Sequence, residues 1–176
     1  MIRTGILLAG VLLAVAARGD GARSNFERTV NALAVGQAAE RNGATARMRQ
    51  AARDLQVAGA TPADNSEDLT RRWHAGNAAT ALYRDRALGP AYRTVSVPPG
   101  GTARFQQTFL AGRQARVAVV AVHRSSFDQS VSDDETTVCS GSAAESCDWV
   151  PLWTTRFNLT LKNTGSPAGT YYLVAQ

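Results

Sequence analysis

Cys139 and Cys147 are the only cysteines of the chain, and seven residues separate them in a Ser/Gly-containing segment. In an oxidising compartment that spacing suits a disulfide. A redox pair usually keeps two intervening residues, and a zinc site needs about four close ligands. Two histidines are present, His74 and His123. His123 ends an apolar run and is followed by serines and Asp128, the ingredients of Ser–His–Asp chemistry, although nothing in the spacing assembles them. Asp133, Asp134 and Glu135 are contiguous, and contiguous side chains on a strand alternate faces rather than converge. Trp149 and Trp153 would make a sugar-stacking pair if exposed together. Beside a disulfide in a β-sandwich they belong more often to the core.

The recognised catalytic spacings are missing. There is no G-x-S-x-G elbow, no phosphate loop, no G-x-G-x-x-G and no H-E-x-x-H. No cofactor is expected. A small hydrolase with an unrecognised site near His123 is the alternative to a non-catalytic reading.

The amino terminus says where the molecule works. Arg3 precedes an unbroken apolar run from Gly5 to Ala17, and Ala14-Val15-Ala16 supplies the small-x-small pattern read by signal peptidase. The run is short of the about 20 residues that span a bilayer. Residues 1–16 are therefore expected to be a signal peptide, with a mature chain starting between Ala17 and Arg23 in the periplasm or outside the cell. The net charge of +5 is carried almost wholly by arginine. So small an excess does not call for nucleic acid. An Arg-rich helical first half touching anionic lipid is a further alternative.

The elements that must position these residues fall into two kinds. From Ser24 to Gly89 the pattern is helical. Ser24-Asn25-Phe26-Glu27 is a capping box, and Phe26, Val30, Leu33 and Ala34 repeat at helical spacing. Asn42-Gly43 breaks the run, and Met48, Ala51, Ala52 and Leu55 mark a second helix. Gly59-Ala60-Thr61-Pro62 reads as a loop. Asp64-Asn65-Ser66 is placed to cap a third helix through Leu69, Trp73, Gly76, Thr80 and Tyr83, ended by Gly89-Pro90.

After Pro90 the pattern is β. Val95 and Val97 alternate with polar residues up to Pro98-Pro99-Gly100-Gly101, a strong turn signal. Arg116 to Val122 reads as a central strand buried on both faces. Phe157, Leu159 and Leu161 alternate with polar neighbours, Asn163-Thr164-Gly165 turns the chain, and Tyr171 to Val174 forms the last strand. The expected division is a signal peptide at 1–16, a helical accessory region at 17–89 and a β-sandwich at 90–176, an α+β chain by segregation. The helices carry few large apolar residues and are expected to lean on the sandwich.

Over about residues 89–176 the order of features resembles the bacterial pre-peptidase C-terminal domain family. The matching residues are Phe109-Leu110-Ala111-Gly112, Ala115 to Val119, Val138-Cys139, Cys147, Trp149-Val150-Pro151, Phe157 to Leu161, Asn163-Thr164-Gly165 and Tyr172-Leu173. The resemblance implies a small jelly-roll-like antiparallel β-sandwich of an exported protein. Family members often carry alternating aspartates before the first cysteine, some able to hold calcium. Here Asp128 alone stands in that region, so no metal site is expected. The combined expectation is an exported, non-catalytic binding or structural module of the envelope or extracellular space. Its expected partner is an envelope polysaccharide or a protein.

Overall fold

The computed structural model describes residues 24–74, 89–134, 136–142 and 145–176. The signal segment, the cleavage region, the Gly76, Thr80 and Tyr83 portion of the third helix, and Glu135 lie outside the described residues.

Helix α1 (Asn25–Arg41) starts where the capping box places it. The Glu27 amide donates to Ser24 Oγ at 3.2 Å, and the Ser24 amide donates to Glu27 Oε2 at 3.0 Å. It ends at Asn42-Gly43, with Gly43 in the left-handed region at φ 63°. Helix α2 (Thr45–Val57) follows with Ala51, Ala52 and Leu55 buried. Strand β1 (Thr61–Pro62) then pairs in parallel with the next strand, at a place where the sequence suggested a loop. Its ladder bonds come from the flanking amides, Thr61 to Pro90 O at 3.0 Å and Ala63 to Tyr92 O at 2.7 Å. The missing N–H of Pro62 therefore falls where the ladder asks for none. Helix α3 (Leu69–His74) is capped by Asp68, whose Oδ1 accepts from the Arg71 amide at 3.2 Å. This corrects the expected cap at Asp64-Asn65-Ser66. Asp64 instead takes a left-handed φ of 49° and pairs with Arg93 at 2.9 Å.

The β strands are β2 (Ala91–Val97), β3 (Thr102–Phe109), β4 (Ala115–Ala121), β5 (Phe127–Ser132), β6 (Thr137–Ser142), β7 (Cys147–Trp149), β8 (Thr155–Asn163) and β9 (Gly169–Ala175). They form a five-stranded sheet, β1-β2-β9-β4-β7, and a four-stranded sheet, β3-β8-β5-β6. Strand β2 pairs with β9, β3 with β8, β4 with β7 and β5 with β6, all antiparallel. This nested first-with-last pairing is jelly-roll winding. Between β2 and β3, Pro99 and Gly100 (φ 66°) make a type II turn closed by Gly101 N to Pro98 O at 2.9 Å.

Two cores follow from the alternation of side chains along the strands. Between the sheets, Val117 and Val119 pack with Phe109, Phe127, Phe157, Leu159, Leu161, Tyr171 and Leu173. On the other face of the five-stranded sheet, Tyr92, Ala118, Tyr172 and Val174 pack against Phe26, Leu33, Leu55, Leu69 and Trp73 of the helices. Strand β4 is buried on both faces because the second sheet covers one and the helices the other. The order of layers is helices, five-stranded sheet, four-stranded sheet.

Candidate functional site

Strand β4 lines an apolar cleft against the first helix. Its neighbour β7 pairs only with Ala115 to Val117, so from Ala118 to Ala121 no described strand lies along that edge. The ladder to β9 fixes which main-chain groups face it. Arg116 and Gln176 exchange bonds of 2.8 and 3.0 Å, and Val122 N donates to Thr170 O at 2.8 Å. In an antiparallel ladder the bonded residues alternate. Ala118 and Val120 are therefore turned to β9, while the main-chain N–H and C=O of Val119 and Ala121 face the open edge.

Helix α1 closes the other side. Phe26, Val30 and Ala34 share one face of it, with Glu27 and Asn31 beside them, and together with β4 they enclose a cleft of about 530 Å³. Its floor is apolar, from Phe26, Val30, Ala34, Ala118, Val120 and Phe127. His123, Arg124, Ser125, Glu145 and Ser146 stand at its margin. An apolar cavity of several hundred Å³ with a few convergent polar groups is what ligand sites share. Arg116 holds the helix entrance to the sheet. It donates to Ser24 Oγ at 3.0 Å, pairs with Asp148 at 3.0 Å, and lies 5.8 Å from the centre of the Phe26 ring.

The residues singled out in the sequence are dispersed. Cys139 of β6 and Cys147 of β7 have their sulfurs 2.03 Å apart, at disulfide-bond distance, and so join the edge of one sheet to the edge of the other. Trp149 is half-buried, with its ring 4.9 Å from that of Phe109 and 5.3 Å from that of Phe157. Trp153 is exposed. The two tryptophans do not form a shared exposed platform, since Trp149 belongs to the interior. His123 reaches the margin of the cleft, but Asp128 lines a separate depression with Lys162 and Ser140. Ser125 bonds to the main-chain carbonyl of His123 rather than to its ring. No Ser–His–Asp arrangement is assembled among the described residues. Among them also, no three His, Cys, Asp or Glu side chains gather as metal ligands, and no helix is long and apolar enough to cross a membrane. On the helices, Arg72 is engaged by Glu40 at 2.5 Å and Glu67 at 2.8 Å.

Sequence reasoning placed Phe26, Val30 and Ala34 in a core stripe and did not single out Glu145 or Ser146. The cleft opens because β7 begins only at Cys147, opposite Val117, so that Ala118 to Ala121 run past its start.

No protein-family model and no curated protein matches the chain. Among solved structures, it is similar to the Yersinia pseudotuberculosis-derived mitogen, at 11% identity over 50% of this chain and 85% of that chain, with a TM-score of 0.44. It is similar to the pre-peptidase C-terminal domain of collagenase from Bacillus anthracis, at 13% identity over 48% and 87%, with a TM-score of 0.43. It is also similar to PliG of Aeromonas hydrophila, a periplasmic inhibitor of g-type lysozyme, at 10% identity over 49% and 86%, with a TM-score of 0.41. Each likeness covers about half of this chain, at low sequence identity.

Proposed function

We propose that this chain is an exported, non-catalytic binding module of the cell envelope or extracellular space, and that it holds an extended segment of a protein partner in the cleft between α1 and β4. The observation that carries the reading is the open β4 edge. There the main-chain groups of Val119 and Ala121 meet an apolar cavity of about 530 Å³. A polypeptide strand answers both features, with main-chain bonds along the edge and an apolar side chain in the cavity. A polysaccharide fits less well, because Trp149 is turned into the core and leaves Trp153 without a stacking partner. Export is supported by Arg3, the Gly5–Ala17 run and Ala14-Val15-Ala16, together with the cysteine pair.

The apolar probe anilinonaphthalene sulfonate tests the cleft. The mature chain is expected to bind it at one saturable site. Ala34→Trp, which fills the cavity, and Val30→Glu, which charges its floor, are each expected to weaken binding at least about tenfold, the loss of one apolar side chain's burial. Undiminished binding by both folded variants would reject the site.

A further inference from the structure

At the end of β4 opposite the cleft, two loops carry large apolar side chains into solvent. Leu110 is 58% exposed in one, and Val150, Leu152 and Trp153 are 56%, 83% and 78% exposed in the other. Large apolar side chains gathered on neighbouring loops mark an interaction site more often than ones scattered singly. The loops are built to hold it. Gly112 N donates to Pro151 O at 2.9 Å, and Ala111 N donates to Thr154 Oγ1 at 3.0 Å. Beneath them Phe109 and Trp149 pack edge to face. The exposed side chains therefore project from a fixed base.

The charge around the tip has one sign. Residues 109–114 and 149–156 contain Arg113 and Arg156 and no acid. Both arginines are exposed, and neither is in an ion pair among the described residues. The neighbouring acid, Asp148, is occupied by Arg116 at 3.0 Å and by Gln114 Nε2 at 2.8 Å.

From this we infer that the Leu110 and Leu152-Trp153 loops are a docking tip for an anionic lipid bilayer. Leu152 and Trp153 enter the interface, and Arg113 and Arg156 meet the headgroups. Tryptophan suits that depth, having an apolar body and a polar N–H. A projecting apolar tip fits a deformable surface, whereas a protein partner would need a matching pocket. Each arginine near an anionic leaflet contributes electrostatically, and salt screens the effect. The tip lies at the other end of β4 from the cleft, so a docked molecule keeps the cleft open. The inference stands on the loops alone and does not depend on the cleft reading.

The test is co-sedimentation of the mature chain with vesicles of phosphatidylcholine alone or mixed with phosphatidylglycerol, with tryptophan emission followed in parallel. Binding is expected to the mixed vesicles, with a blue shift, and to weaken in salt. Leu152→Ser/Trp153→Ser and Arg113→Gln/Arg156→Gln are each expected to lose about tenfold or more. Arg47→Gln/Arg49→Gln/Arg53→Gln, on the exposed side of α2, is expected to bind as the wild type. Leu110→Ser gives a milder version should the double tip variant fold poorly. Failure of the wild type to bind the mixed vesicles, tip variants that bind like the wild type, or loss confined to the α2 variant would overturn the inference. So would a Trp153-dependent association with a polysaccharide or a soluble protein in place of vesicles. Anilinonaphthalene sulfonate binding lost in Ala34→Trp and retained in the tip variants keeps the two sites distinguishable.

Discussion

Gly36 of α1 lies directly under the ring of Trp73 of α3: a Cβ placed on Gly36 would fall 2.4 Å from Cζ3 and 2.6 Å from Cη2 of that ring. The close approach lets α3 pack on α1 and lets Trp73 bury almost completely against Tyr172 of the sheet. Gly36→Ala is expected to destabilise the fold by about 1–3 kcal/mol through overpacking. The about 1 kcal/mol that alanine gains over glycine within a helix offsets part of that, leaving a net loss of up to about 2 kcal/mol. Urea denaturation checks it; an unchanged or raised midpoint would contradict the packing.

Asn163 is fully buried and ties three chain segments together. Its Nδ2 donates to Val97 O, Pro98 O and Pro167 O at 3.1, 3.3 and 2.8 Å, and its Oδ1 accepts from Gly165 N at 2.9 Å. Asn163→Ala strands these groups and is expected to cost about 1–3 kcal/mol. Asn163→Asp is expected to cost more at neutral pH, because it sets a carboxylate against three carbonyl oxygens. That excess is expected to shrink in acid, where the protonated carboxyl donates one bond. Equal stability of Asn163→Asp and wild type in thermal melts would refute the role.

Tyr92 and Tyr172 sit in the layer between helices and sheet, and burial pushes each phenol up to about 12. The folded state then keeps protons that the unfolded chain releases from about pH 10. The stabilisation is complete below pH 10 and is lost as pH rises toward 12. Denaturation across that range is expected to show falling stability, with phenolate absorbance appearing as the chain unfolds. Tyr92→Phe also removes the acceptor of the Leu69 amide, 3.0 Å away in the native fold, and is expected to cost about 1–3 kcal/mol.

The short loop between Cys139 and Cys147 restricts the unfolded chain, so Cys139→Ala/Cys147→Ala is expected to lower stability by about 2–3 kcal/mol. Thiol labelling of the denatured, unreduced protein is expected to find no free thiol; two labelled cysteines would reject the crosslink.

Much of the architecture was legible. The capping box at Ser24, the Pro99-Gly100 turn and the alternation of Phe157, Leu159 and Leu161 are local signals that tertiary context did not override. Strand β1 was not legible, since two residues cannot display a period and Pro62 argues against a ladder. The cap at Asp68 was masked by three capping residues just before it. The cleft was illegible for another reason. Val30 and Ala34 look like core residues on a helix face, and the late start of β7, at Cys147, leaves the β4 edge beside them open. The exposed tip had a signal that went unread: Leu152-Trp153 directly follows Pro151, where no strand continues.

Amide proton–nitrogen correlation spectra of the chain lacking residues 1–16 test the cleft most directly. Titration with anilinonaphthalene sulfonate is expected to shift the amides of Val30, Asn31, Ala34, Val119, Ala121 and Ser146, the two walls of the open β4 edge. Shifts confined to Leu110, Leu152 and Trp153, or spread evenly over both sheets, would contradict it.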